Sequence, residues 1–141
     1  WRHSSAGIDL NRDWQNVNQP EVAAIQAFLA EKMKKGSFHF GVDFHSTWED
    51  IYYTGHPEQP GNRPGLVLAM IESMTAELGL DPNIRPREDL ERGPTSSSYM
   101  YHVLGAEALT YELGDYTPRD LLQKKGATSA LKLMELLLED D

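Results

Sequence analysis

Apolar residues in the first third of this chain recur at the spacing of a helix. Between positions 20 and 35 they come every three or four residues, so they would line one helical face. Pro20 stands where a proline is tolerated in a first helical turn, and Gly36 follows the segment. The pattern therefore predicts a helix over about 20–35. Its apolar face would consist of Val22, Ile25, Phe28, Leu29 and Met33.

The next segment, residues 38–45, alternates strictly between two kinds of side chain. A period of two is typical of a strand, because successive side chains point to opposite faces of a sheet. One face would carry Phe38, Phe40, Val42 and Phe44, and the other His39, Gly41, Asp43 and His45. The sequence thus predicts a strand that presents His45 at its C-terminal end.

Helical and strand patterns alternate along the rest of the chain. Residues 81–97 are rich in proline and arginine and have no period, which predicts a long surface loop. Gly79 would end the helix before that loop. The other predicted elements are strands at 51–54 and 106–113, a loop at 55–65, and helices at 66–78, 98–104 and 128–138. This alternation favours the α/β class.

The composition narrows the class of protein further. The chain has 141 residues, enough for one domain or a piece of one, and a formal net charge of -9 at pH 7. That acidity argues against nucleic-acid binding, and no apolar run is long enough to span a membrane. The lack of cysteine excludes thiolate ligands and a cysteine nucleophile. The chain starts at Trp1 without a signal segment, so we interpret it as a fragment or a processed product, and its compartment stays open.

Asn11 and Arg12 form the first candidate site. The planar arginine fork suits a carboxylate, and the asparagine adds a neutral donor beside it. In a loop led by Gly7, such a pair could hold the anionic end of a substrate. The alternative is a turn asparagine followed by an exposed arginine, which is the commoner meaning of so short a motif.

His45 and Glu112 are candidates for metal and acid–base chemistry. Neutral imidazole is a common metal ligand, although a hydrogen-bonded core histidine is the alternative. His39 would lie about 20 Å away at ~3.3 Å per residue, too far to share one metal ion with His45. Glu112 lies in an apolar strand segment, where a carboxylate must be solvated, protonated or paired. It is therefore either a general base or a salt-bridged structural residue.

Three motifs follow one another along the chain: Gly-Ile-Asp-Leu-Asn-Arg-Asp-Trp at 7–14, Asp-Phe-His-Ser at 43–46 and Thr-Tyr-Glu-Leu at 110–113. In this order they resemble the motifs of the zinc metallocarboxypeptidases, the carboxypeptidase A-like family. The resemblance spans most of the chain. It implies that residues 1–141 are the C-terminal part of one catalytic domain, with a mixed sheet and flanking helices in a phosphorylase/hydrolase-like fold.

The resemblance implies a role for each matched position. Asn11 and Arg12 would bind the C-terminal carboxylate of a peptide substrate. His45 would be the third zinc ligand, and Glu112 would be the general base that activates the zinc-bound water. Asp9 would orient the first zinc-binding histidine.

Other positions depart from the family or match only some members. Trp1-Arg2 resembles a Trp-Arg pair whose arginine stabilises the oxyanion in some members, so Arg2 is a further catalytic candidate. The family's first two zinc ligands come as His-x-x-Glu, and no histidine here has a glutamate three residues later. The family's active-site tyrosine has no counterpart in its usual context, and Tyr99 and Tyr101 are the nearest tyrosines.

The implied function is zinc-dependent removal of C-terminal residues from peptides. This chain would supply one of three zinc ligands, so we expect weak or no zinc binding and no activity from it alone. A related zinc amidase or deacylase of N-acyl amino acids or cell-wall peptides would also bind a free carboxylate. A non-catalytic carboxylate-binding domain is the third hypothesis. A truncated sheet would expose an unpaired edge, so we also expect self-association.

Overall fold

The computed structural model describes residues 2–55, 61–87 and 93–139. A short 3₁₀ turn, Leu10–Arg12, precedes the first helix. The helices are α1 (Pro20–Met33), α2 (Leu66–Leu78), α3 (Ser96–His102) and α4 (Arg119–Glu139). The strands are β1 (Phe40–Thr47), β2 (Ile51–Gly55), β3 (Ile84–Arg87) and β4 (Glu107–Gly114).

The described strands form one mixed sheet in the order β1-β4-β2-β3. β1 runs parallel to β4, β2 runs antiparallel to β4, and β3 runs parallel to β2. The predicted α/β class, with a mixed sheet and flanking helices, is therefore confirmed. β1 and β4 consequently end at the same edge of the sheet, where α/β folds commonly bind ligands.

The two faces of the sheet have different neighbours. Leu109 and Tyr111 of β4 belong to the apolar core formed with α2 and α4. Because side chains alternate along a strand, Thr110 and Glu112 lie on the opposite face. α3 packs there, and Met100 lies so close to Gly41 of β1 that a Cβ at Gly41 would overlap its sulfur. The buried core consists of Tyr52, Val67, Met70, Ile71, Met74, Leu109 and Tyr111.

Several predicted elements are present with shifted ends. The first helix ends at Met33, and the predicted strand at 38–45 instead runs from Phe40 to Thr47. The predicted helix at 66–78 has those bounds, and Gly79 ends it in a left-handed conformation with φ 65°. α3 begins earlier than predicted because the Thr95 side chain accepts a hydrogen bond from the Ser98 backbone and caps it.

Two predictions are wrong in part. The supposed loop at 81–97 contains β3, an edge strand of only four residues, too short to show a period, in which Pro86 is tolerated at the sheet edge. The last helix begins at Arg119, well before 128, because its early turns bury Lys125 through an ion pair that no apolar pattern reveals. Parts of the predicted loops, 56–60 and 88–92, lie outside the described residues. Within the described chain, no helix combines the length and apolar character needed to cross a membrane.

Candidate functional site

A small polar cleft lies at the C-terminal ends of β1 and β4. Its volume is about 70 Å³. The residues that line it are Arg2, Asn11, Arg12, His45, Thr95, Thr110 and Glu112. The fold thus brings five of the six predicted site residues into one cleft, although they come from three distant segments: the N-terminal stretch, β1 and β4. The sixth, Asp9, contacts the cleft through Arg2.

His45 and Glu112 are direct partners across two adjacent strands. Their Cα atoms are paired in the parallel register of β1 and β4, and both side chains point toward the cleft. Neighbouring strands lie about 4.8 Å apart, so the two groups are close enough to act on one small ligand. Among the described residues, no side chain forms a hydrogen bond or ion pair with Glu112. The salt-bridged alternative for Glu112 therefore has no support in the described part of the chain.

The imidazole of His45 is held by a carboxylate on its own strand. His45 Nε2 lies 2.8 Å from Asp43 Oδ2 and 3.1 Å from Asn11 Nδ2. The Ser96 backbone N–H donates to Asn11 Oδ1 at 2.8 Å, which fixes the amide with its NH₂ group toward Asp43 and His45. A charge-assisted bond to the carboxylate is the stronger of the two contacts of Nε2, so we assign the ring proton to Nε2.

This tautomer leaves Nδ1 as the lone-pair nitrogen of His45. Nδ1 has no hydrogen-bond partner among the described residues. Metal-binding histidines commonly donate their other ring N–H to a carboxylate, which is what Asp43 accepts here. His45 thus has the chemistry of a metal ligand.

Asp43 is the centre of a hydrogen-bond cluster that the sequence only partly indicated. Its Oδ2 accepts from Asn11 Nδ2 at 2.9 Å, from His45, and from the Ser96 hydroxyl in a short hydrogen bond. The alternation along β1 placed Asp43 and His45 on one face, so the contact between them could be expected from the sequence. No sequence pattern indicated the contact of Ser96, which lies 53 residues from Asp43 along the chain.

The Asn11–Arg12 turn is anchored by Asp9 at its start and by Asp43 through the Asn11 side chain. Asp9 Oδ1 accepts from the Asn11 backbone at 3.0 Å and caps the 3₁₀ turn. Arg12 is exposed, and its Nη1 donates to the Asn11 carbonyl at 2.8 Å. Its other guanidinium N–H groups have no hydrogen-bond acceptor among the described residues, so they are available to a ligand. The Asn11 amide, in contrast, is already engaged with the Asp43 cluster. Arg12 is therefore the freer of the two carboxylate donors.

Arg2 and Asp9 form an ion pair at the rim of the cleft. Arg2 Nε donates to Asp9 Oδ2 at 2.8 Å. Burial raises the pKa of Asp9, but the bonds from Arg2 and from the Asn11 backbone outweigh burial and hold it below its ordinary value. Asp9 is thus ionised and pairs with Arg2. The predicted roles of Asp9 toward a histidine and of Arg2 toward an oxyanion stay predictions, and Trp1 lies outside the described residues.

A complete zinc site is not formed by the described residues. They contain no group of three His, Asp or Glu side chains placed to hold a metal ion. His45, backed by Asp43, offers one donor nitrogen, and Glu112 lies beside it on the neighbouring strand, where its role as general base stays a prediction. The described residues alone therefore do not supply the ligand set of a zinc ion.

Two of the solved structures that resemble this chain are both hydrolases by name. The metallo-carboxypeptidase from Burkholderia cenocepacia superposes with a TM-score of 0.66 at 19% identity, covering 97% of this chain and 39% of that protein. The succinylglutamate desuccinylase from Chromobacterium violaceum superposes with a TM-score of 0.58 at 19% identity, covering 89% of this chain and 44% of that protein. This chain therefore spans less than half the length of either protein. At this identity the likeness concerns the fold, and it confirms the predicted metallocarboxypeptidase-like architecture.

Sequence relatives do not extend the structural likeness. No protein-family model matches the chain, and no curated protein matches it significantly.

Proposed function

We propose that residues 1–141 form the C-terminal part of the catalytic domain of a zinc-dependent hydrolase that acts beside a free carboxylate, most specifically a carboxypeptidase. One observation carries the proposal. Arg12, His45 and Glu112 line a single polar cleft, with the imidazole oriented by Asp43 and the Glu112 carboxylate unpaired among the described residues. The fold likeness to a metallo-carboxypeptidase supports it.

In the proposed reaction, each residue of the cleft has a distinct task. Arg12 binds the terminal carboxylate of the substrate through its free N–H groups. Asn11 keeps Asp43 in place through the bond from its amide to Oδ2, and Asp43 in turn holds His45. Glu112 takes the proton of the attacking water and passes it to the leaving amine. Arg2 lines the cleft, and in this proposal it stabilises the developing oxyanion.

The proposal includes a zinc ion, and this chain would supply only part of its ligand set. His45 would contribute Nδ1, and the remaining ligands would come from outside the described residues. When bound, zinc would lower the pKa of a water molecule toward neutrality and polarise the scissile carbonyl.

A zinc amidase or deacylase is the second candidate, and the fold likeness to a succinylglutamate desuccinylase favours it. An N-acyl amino acid also ends in a carboxylate that Arg12 can bind. The two candidates differ in what lies on the acyl side of the scissile bond. A non-catalytic carboxylate-binding domain would keep Arg12 but would give no task to Glu112.

The carboxylate site can be tested on the 141-residue chain by NMR titration with an N-acetyl amino acid and with its amide. We expect the acid to bind at least about tenfold more tightly, because a charge-assisted bond contributes roughly 1.5–3 kcal/mol. Arg12→Gln should remove that preference. Arg119→Gln, which replaces an exposed arginine of α4, is the matched control. Equal binding of acid and amide would refute the site.

The choice between the two enzymes requires a longer protein that contains this chain together with an upstream His-x-x-Glu. Release of C-terminal residues from peptides supports the carboxypeptidase, and hydrolysis of N-acyl amino acids alone supports the deacylase. Glu112→Gln should abolish either activity, while Glu21→Gln on the surface of α1 should not. Full turnover by the Glu112→Gln enzyme would rule out both.

A further inference from the structure

A buried ion pair joins α4 to the turn that follows β1. Lys125 is only 5% exposed, and its Nζ lies 2.6 Å from Asp50 Oδ2 and 3.0 Å from the Tyr111 hydroxyl. The ammonium group also lies over the stacked rings of Tyr52 and Tyr111, 5.7 and 5.5 Å from their centroids. The cleft chemistry described above makes no use of this lysine.

Asp50 accepts hydrogen bonds from four donors in one continuous stretch of chain. Its Oδ1 accepts from the Tyr111 hydroxyl at 3.1 Å and from the Gly114 backbone at 3.0 Å. Its Oδ2 accepts from Lys125 and from the Thr117 hydroxyl, the latter at 3.3 Å. The carboxylate is therefore fully satisfied, which is the condition under which a largely buried charge is stable.

These bonds join the segment that follows His45 to residues on both sides of Glu112. Asp50 follows the end of β1, which carries His45. Tyr111 and Gly114 flank Glu112 on β4. At Gly114 the approach is so close that a Cβ would lie 3.1 Å from the Asp50 backbone nitrogen, so the two segments have little room to slide.

We propose that Lys125 and Asp50 are positioning residues that set the placement of His45 relative to Glu112 from the opposite face of the sheet. Lys125 holds the Asp50 carboxylate, and Asp50 holds the β1 end and the β4 end in one register. Neither residue is among those that line the cleft. The inference rests on the proposed function only in giving the two cleft residues a shared task.

The test is a comparison of backbone amide NMR signals in the 141-residue chain, without metal or substrate. Lys125→Met and Asp50→Asn should both displace the signals of His45 and Glu112 beyond the change seen in a control. Lys132→Met is the matched control, because Lys132 lies on the same helix and forms ion pairs with Glu77 and Glu135 away from the cleft. A purely structural role would lower the melting temperature and leave the two signals where the control has them.

Folded Lys125→Met and Asp50→Asn chains with unmoved His45 and Glu112 signals would overturn the proposal. If neither chain folds, Lys125→Arg decides, because it keeps the charge while its larger head displaces Asp50. Moved signals then support the proposal, and unmoved signals overturn it. Failure of the chain to bind N-acetyl amino acids would refute the proposed function separately, since this comparison uses no ligand.

Discussion

Asp43 and His45, two residues apart on β1, point to the same side of the sheet, and the Asp43 carboxylate holds His45 Nε2 at 2.8 Å. The chemical consequence is a fixed tautomer with the lone pair on Nδ1. The structural consequence is that the imidazole is oriented before any ligand arrives. Such preorientation is what a ligand position requires, because a freely rotating ring would lose more entropy on binding.

Replacing Asp43 should therefore change the tautomer of the His45 ring. In Asp43→Asn the amide can donate to Nε2, so we expect the proton to populate Nδ1 instead. Long-range ¹H–¹⁵N spectra of the imidazole report the tautomer directly. Ser46→Ala, an exposed site next to His45, is the control. An unprotonated Nε2 in the unmodified chain would contradict the assignment.

The 141-residue chain should bind zinc weakly or not at all and should release no C-terminal residues from peptides. One imidazole gives too few bonds to offset dehydration of the ion. Equilibrium dialysis and a chelator-controlled peptidase assay measure the two outcomes, with His45→Ala as the comparison. Stoichiometric zinc in the unmodified chain, lost in His45→Ala, would show that other residues complete the site.

Acid should destabilise the chain through two aspartates. Burial raises the pKa of Asp13 and Asp50, but bonds from Asn18 and Gln19 to the former, and from Lys125 and Gly114 to the latter, lower both below the ordinary value. A depressed pKa in the folded state contributes stability that is present above the unfolded value of about 3.9 and is lost as pH falls through the folded value.

We therefore expect the free energy of unfolding to be steady near neutrality and to fall below about pH 4. Urea titrations at several pH values measure it. Asp13→Asn should flatten the acid decline, whereas Asp81→Asn at the exposed surface should not. An identical pH dependence in Asp13→Asn and the unmodified chain would contradict the contribution of Asp13.

The core under the sheet should dominate stability. Ile71 is 0% exposed, so Ile71→Ala is expected to cost about 2–5 kcal/mol through lost burial and the cavity left behind. Ile25 on α1 is 47% exposed, and Ile25→Ala should change stability by no more than about 0.5 kcal/mol. Denaturant unfolding compares the two. Equal effects would mean that α1 is buried in solution.

We also expect self-association at high concentration, through a second copy of this chain. Among the described strands, β1 pairs with β4 alone, so its other edge presents free N–H and C=O groups. Phe44 on β1 is 62% exposed and adds apolar surface at that strand, and Phe28 on α1, 58% exposed, is a further exposed apolar side chain. Light scattering over a concentration series measures the mass, and Phe44→Lys should lower it. A monodisperse monomer throughout would refute the expectation.

Most of the fold that could be predicted was predicted from local sequence patterns, namely periodicity and the residues that end helices. The helix Leu66–Leu78 was correctly bounded because Gly79 supplies the left-handed residue that ends it. The alternation along β1 correctly placed Asp43 and His45 on one face. The early turns of α4 were missed, since the burial of Lys125 depends on Asp50, a partner far away in the chain.

The cleft shows the same division between local and distant information. The motifs indicated Arg12, His45 and Glu112 one by one, and the fold places them together. The contacts of Ser96 with Asn11 and Asp43 could not be predicted, because no periodicity links positions so far apart. The use of the Asn11 amide inside the cluster, rather than toward a ligand, was hidden for the same reason.

The parallel pairing of β1 with β4 also decides when the cleft can form during folding. Between these strands the chain makes β2, α2, β3 and α3, so His45 meets Glu112 only after a long loop has closed. Pairings between distant segments are the slow steps of folding. The cleft should thus assemble late, and a ligand that needs both residues would bind the finished sheet rather than guide its formation.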